Sequence, residues 1–371
     1  MKKIEIKWTS LFYNVVIAAL VLVSFFGLSV ETLASSVAVG VTSGVALGFV
    51  SSKGLAFMAV QVEIWRSHIE ESLFADNTFL NHISDVDQDN ILNGKIVHIP
   101  QSGGGSKVVK NRTVKPAQVR TRTDDEVLYR IDEYTSDPVH ISDAETKELS
   151  YDKRDSVIRE ELDALANETA EGVLENIISS PVGGSNSIPA DNILLTEGEA
   201  VATGLAGATG NRKAYGLSDL QKMRNFMKKQ NAWREGQMYA LLTADAETQM
   251  FPANSMVTAT YMAQVTEEER RNGVMYKCQG WKLLSRSSVY VLDENGNFKT
   301  YGSEILPTDD EGCLFWNKNM VEKALGQTVF FDDMGNPVWY GDIYSFLVRI
   351  GARAKRKNYE GVGVLRQVVS V

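Results

Sequence analysis

Two apolar runs without a single charge open the chain, at residues 11–30 (LFYNVVIAALVLVSFFGLSV) and 32–52 (TLASSVAVGVTSGVALGFVSS). Twenty helical residues span about 30 Å, the thickness of a bilayer core. Lys2, Lys3 and Lys7 precede the first run and Glu31 follows it, the charge order of an inward-facing N-terminus. The second run is richer in glycine and serine and makes a weaker span, so the pair reads as one membrane helix or as a helical hairpin. TLASS also has the small residues of a secretory cleavage site, behind an apolar region longer than the usual ~7–15 residues. At Met58 the pattern changes abruptly to MAVQVEIWRSHIEESLF, with charges at ordinary frequency. Met58 therefore reads as a second start, and residues 1–57 stand apart from the remainder as a hydrophobic leader.

Beyond the leader, Ile64, Ile69, Leu73 and Phe74 fall at broken helical spacing and predict an arm with short helical pieces. Residues 94–100 (GKIVHIP) predict a short strand, ended by the glycines at 103–105. In residues 127–141, Val127, Tyr129 and Ile131 alternate with Leu128, Arg130 and Asp132, a second extended run. The two runs predict a large hairpin around a long polar excursion. The period then changes. Ser142 and Glu145 form a capping-box pattern, and residues 151–179 place Val157, Ile158, Leu162, Leu165, Val173, Leu174 and Ile177 on one stripe. They predict a helix of about eight turns, a strut with one narrow packing face, stopped by Pro181 and paired glycines. Residues 195–216 read as a glycine-rich connector. Residues 217–229 predict a second helix, capped by Ser218 with Gln221, and residues 236–251 read as strand, turn and helix. The C-terminal third is largely strand, with DENGN (residues 293–297) as a turn and residues 317–331 (NKNMVEKALGQTVFF) as another short helix. The predicted class is α+β.

At 371 residues the chain is long enough for more than one lobe. A net charge of -9 excludes a protein built mainly to wrap nucleic acid. Cys278 and Cys313 are the two cysteines, too few for a disulfide framework or a four-cysteine zinc site, and they read as reduced and buried. His68, His82, His98 and His140 lie on separate segments without metal-ligand spacing. SGGGSK lacks the GxxxxGK[ST] spacing, and no helix follows it to meet a phosphate. GATGNRKAYG fails for the same reason, and there is no GxSxG elbow. The carboxylates of REELDALANETAEGVLE read as the solvated face of the long helix. These observations predict no enzyme, no cofactor and no metal. The tract from residue 107 to 122 carries Lys107, Lys110, Arg112, Lys115, Arg120 and Arg122, with no acid before Asp124 and no aromatic platform for a base. It reads either as the solvated arm of an acidic protein or as a positive hairpin that docks on the negative strut of a neighbouring copy.

In order, the arm, the hairpin, the long helix, the α+β body and the closing strands resemble the major capsid proteins of tailed bacteriophages, the Hong Kong 97-type fold. The resemblance covers about residues 58–371. It is carried by GKIVHIPQSGGG through VLYRIDEYTSDPVHISDAETKELSYDKRDSVI, similar to the family's extended loop feeding its spine helix, and by RNGVMYKCQGWKLLSRSSVYV and LSDLQKMRNFMKKQNAWREGQMYALLTADAETQMF in the body. The resemblance implies a leader (1–57), an N-terminal arm (58–92), an extended loop (93–141), a spine helix (142–180) and peripheral and axial domains (181–371). It implies a shell subunit that forms pentamers and hexamers around double-stranded DNA in the virion, assembled in the bacterial host cytoplasm. Scaffold, protease, portal and decoration proteins would be partners, and a membrane only if residues 11–52 are retained. The six loop cations would meet Glu160, Glu161, Asp163 and Glu168 on a neighbour's helix. The hydrophobic leader departs from the family pattern and leaves an alternative: a membrane-anchored phage or prophage protein with a soluble α+β domain.

Overall fold

The computed structural model describes residues 77–86, 91–92, 95–103, 108–113, 115–116, 119, 121, 124–142, 153–179, 187–252 and 277–370. The apolar leader, the arm up to residue 76, Lys107, Arg120, Arg122, the Glu145 cap and the Pro181 stop lie outside the described residues.

After a 3-10 turn (Thr78–His82) and strand β1 (Ser84–Asp85), the chain runs through β2 (Ile91–Leu92), β3 (Ile96–Gln101) and β4 (Asp125–Arg130). These last three form an antiparallel sheet in which Ile96 faces Arg130 and Gln101 faces Asp125. Alternate residues Val97, Ile99, Val127 and Tyr129 are buried, the period-two pattern of a half-buried strand pair. The expected hairpin is therefore present, but its second run breaks at Ile131. Beyond that residue β5 (Asp132–Thr135) and β6 (Val139–Ser142) leave the hairpin and join the body.

The body follows in the order α1 (Lys153–Ile178), β7 (Ile193–Leu195), β8 (Ala200–Ala202), β9 (Asn211–Lys213), α2 (Leu217–Lys229), β10 (Met238–Thr243) and α3 (Ala244–Met250). Then come β11 (Lys277–Cys278), β12 (Trp281–Arg286), β13 (Tyr290–Leu292), β14 (Asp310–Asn317), β15 (Val321–Asn336), β16 (Gly341–Ala354) and β17 (Val362–Arg366). One sheet has the order β1-β15-β16-β5, with β6 also on β16. The other has the order β11-β12-β10-β14-β17-β7, with β13 on β14. Its core gathers Met223 and Met227 from α2, Ala240 and Leu242 from β10, Trp281 from β12, and Cys313 and Phe315 from β14. Both cysteines are free and buried.

Helix α1 joins the two sheets. Its buried stripe, Ile158, Leu162, Leu165, Thr169, Val173, Leu174 and Ile177, follows the helical period, while Glu160, Asp163, Asn167 and Glu168 face solvent. It packs along β16, and Asn176 Nδ2 donates to Asp132 Oδ2 on β5 at 2.8 Å. Toward the other sheet, the Tyr290 hydroxyl donates to Leu174 O at 2.9 Å, and Arg286 pairs with Glu171 at 3.4 Å. Gly172 permits the approach of β5, since a Cβ there would lie 1.8 Å from the Tyr134 hydroxyl.

Three local expectations change. Residues 317–331 were expected to form a short helix; apart from a 3-10 turn (Lys318–Met320), they form the start of β15. The reason is tertiary. Both faces are buried over Val321–Ala324, and the charged residues there find partners: Tyr129 donates to Glu322 at 3.2 Å, and Lys323 donates to Leu80 O at 2.7 Å. Strand alternation is thereby hidden. Second, α2 begins after Gly216, and its cap is Asp219, which accepts from Gly216 N–H at 3.0 Å, in place of Ser218 with Gln221. Third, the glycine-rich connector contains the small hairpin β8–β9.

Candidate assembly surfaces

The strand pair of the extended hairpin is tied to the body as far as the base of its loop. Gln101 Nε2 donates to Lys355 O at 2.6 Å, Lys357 pairs with Asp125 at 2.6 Å, and Arg353 Nη1 donates to Leu128 O at 3.2 Å. Farther out, Lys110, Arg112 and Lys115 are exposed and make no ion pair with any described residue. Val108 and Val119 beside them are 92% and 99% exposed, so this stretch has no packing partner among the described residues. On α1, Glu160, Asp163 and Glu168 are exposed and Glu161 is half-buried. Within the chain, no described loop cation meets a helix acid. The two charged sets are separate surfaces of opposite sign.

A third exposed surface was not anticipated from the sequence. β15 and β16 form a long ribbon with register shifts at Leu325/Thr328 and Asp333/Asn336. Its tip exposes Val338 (76%), Trp339 (60%) and Tyr340 (79%), with Phe331 and Met334 beside them. The turn is well braced, since Asn336 Oδ1 accepts from Val338 N at 2.8 Å and Asn336 O accepts from Tyr340 N at 2.8 Å. The available signal was Asn336-Pro337, a turn pair, followed by three large apolar residues. Contiguous exposed apolar residues on a braced turn mark an interaction surface.

The perturbed titratable groups are dispersed through the body. Burial raises Tyr215, Tyr290, Cys278 and Cys313, the last to about 12. Glu311 is pushed up to about 7, chiefly by burial and then by the Asp245 charge. A pocket of about 200 Å³ lies at the hairpin root, but its guanidinium groups are already paired: Arg130 with Asp132 at 3.2 Å and Arg349 with Glu133 at 2.5 Å. Among the described residues, no three metal-ligating side chains converge.

No protein-family model matches the sequence, and no curated protein does. Solved structures do. The capsid of Ralstonia phage GP4 superposes with a TM-score of 0.55 at 13% identity, over 78% of this chain and 88% of that one. The cyanophage Pam1 capsid gives 0.54 at 9% identity, over 76% and 87%. The cyanophage P-SCSP1u capsid gives 0.53 at 14% identity, over 78% and 86%. The chain has the Hong Kong 97-type capsid fold. The identities are low enough that the likeness is one of architecture alone.

Proposed function

We propose that this chain is the structural subunit of an icosahedral phage head, built from pentamers and hexamers that enclose double-stranded DNA. The carrying observation is the capsid fold, matched over 86–88% of the three solved chains. The role is structural, in the virion, after assembly in the host cytoplasm, with scaffold, protease, portal and decoration proteins as partners. Repeating copies around closed symmetry need a heterologous contact that reaches from one subunit to the next, and a loop whose described residues Val108 and Val119 have no packing partner among the described residues suits that task. Lys107, Lys110, Arg112, Lys115, Arg120 and Arg122 would lie across Glu160, Glu161, Asp163 and Glu168 of a neighbour. The ribbon tip around Trp339 would meet another copy. The division into leader, arm, loop, spine and peripheral and axial domains belongs to the same reading.

Full-length chain, produced with its scaffold, is expected to form closed shells or rings in negative stain; monomer alone would overturn the proposal. Reversing Lys110, Arg112 and Lys115 to Glu is expected to suppress assembly and leave the melting of the unassembled chain unchanged, because these side chains are exposed. Lys at Glu160, Asp163 and Glu168 should restore it; failure of rescue would remove this pairing. Trp339→Asp is expected to block assembly at the ribbon tip, read by the same microscopy, and shells of normal yield would exclude that contact. The membrane alternative rests on residues 11–52. Among the described residues no helix is long and apolar enough to cross a membrane, and mass spectrometry of the mature N-terminus tests whether that segment is kept.

A further inference from the structure

Cations set among aromatic rings, missing from the loop tract, occur at one end of the sheet that holds β10, β12 and β14. His82, which closes the first 3-10 turn, stacks on Tyr239 of β10 with ring centres 4.5 Å apart, and Tyr239 stacks in turn on Trp316 of β14 at 5.7 Å. Trp316 Nε1 donates to His82 O at 3.1 Å, which fixes the turn against the sheet. Lys282 of β12 stands 4.9 Å from the centre of the Tyr239 ring and donates to its hydroxyl at 3.0 Å. Lys318, in the turn between β14 and β15, and Lys323 of β15 complete the group.

These charges gather around the imidazole. Burial, and then the fields of Lys318, Lys282 and Lys323, hold His82 below the ordinary imidazole value, so the ring is neutral at pH 7. Lys323 is itself lowered, chiefly by burial, against the pull of Asp85 and with the Lys318 charge opposing it. Asp85 is the carboxylate of this group; its side chain is 82% exposed and 3.4 Å from Lys323. Lys282 and Lys318 form no ion pair with any described acid. Both are half-buried and open to solvent, whereas Lys323 is buried and acts through its field alone. Cations held together without counter-charge repel one another, and an anion brought among them is favoured by the sum of their fields.

We infer that His82, Lys282 and Lys318 form a contact for the phosphodiester backbone of enclosed duplex DNA. The inference rests on the shell-subunit reading, in which DNA is an anion that the copies surround. Lys282 and Lys318 each take a phosphate oxygen, and the neutral His82 ring offers an N–H between them without adding a like charge. A single carboxylate of a neighbouring copy would answer one ammonium and leave the other, whereas a phosphodiester chain supplies an acceptor at every step. Contacts of this kind position a duplex without reading its sequence.

The test is titration of the full-length chain into a short fluorescent DNA duplex over a range of salt. Lys282→Gln combined with Lys318→Gln is expected to weaken binding roughly tenfold and to lower the log–log salt slope by about 2, equally for two duplexes of unrelated sequence. Lys282→Arg with Lys318→Arg keeps both charges and should retain the wild-type affinity and slope; loss of binding there too would make the lysines structural and overturn the contact. Unchanged affinity and slope in the glutamine variant would overturn it as well. Shells that weaken while duplex affinity stays the same would assign the two lysines to a neighbouring copy instead. These outcomes leave the shell reading standing, since that reading fails only if wild-type chain produced with its scaffold yields no shells.

Discussion

Asp310→Asn is expected to lower the melting temperature of the unassembled chain by roughly 5–10 °C, from a loss of about 3–5 kcal/mol. Asp310 is fully buried between two guanidinium groups, with Arg212 Nε at 2.6 Å on one oxygen and Arg366 Nη2 at 2.6 Å on the other. Arg212 also donates to Thr209 O, Pro307 O and Asp309 O at 3.1–3.2 Å. Arg366 Nη2 donates to Asp293 O and Glu294 O, both at 2.9 Å. One carboxylate thus fastens β9, β14, β17 and the turn after β13. Removing its charge leaves two buried cations facing each other with only carbonyl dipoles for compensation, which is why breaking such a cluster costs far more than breaking a surface pair. Lys222→Ala, which opens the exposed pair with Glu197 (2.7 Å), is the comparison and should leave melting nearly unchanged. Equal melting of Asp310→Asn and wild type by scanning calorimetry would refute this account.

Glu311→Gln, one residue on, is expected to act in the opposite direction, by an amount that grows as pH rises above 4.5 and levels off above about 7. The Glu311 carboxyl is 6% exposed and, raised by burial and by Asp245, titrates at about 7 against an ordinary 4.5, although Thr243 donates to it at 3.1 Å. A folded-state value above the unfolded one means the folded chain holds the proton more tightly. Stability from this group is present in full below pH 4.5 and is lost as pH rises through about 7. The ionised state costs about 3 kcal/mol, at about 1.4 kcal/mol per tenfold change in proton affinity. Glutamine can still accept from Thr243 and never ionises. Denaturant unfolding should therefore show the variant about 3 kcal/mol more stable than wild type at pH 8, with the gap closing toward pH 4.5. A gap of constant size across that range would rule out the titration.

The elements that were legible in the sequence are those whose burial is one-sided. Helix α1 could be read because Ile158, Leu162, Leu165 and Val173 alternate with exposed acids at helical spacing, and β3 and β4 because Val97, Ile99, Val127 and Tyr129 alternate with exposed neighbours. β15 was misread for the converse reason. Val321, Glu322, Lys323 and Ala324 are all buried in sequence, so no period survives. The break at Ile131 was equally hidden, because β4 and β5 continue one extended run and differ only in which strand pairs with them.

The candidate surfaces divide in the same way. The loop cations and the helix acids stood out as charge runs, since charge is a property of composition that no fold is needed to see. The Asp310 cluster lay beyond sequence reasoning because its two arginines come from β9 and β17, and because a buried ion cluster is defined by what surrounds it. By itself, the sequence determined the period of each one-sided element, the position of the charged stretches and the lack of motif chemistry, all of which depend on neighbours along the chain. Which strands pair, which charges are buried together and which polar atoms are left without partners were decided only by the tertiary structure, because those depend on neighbours in space.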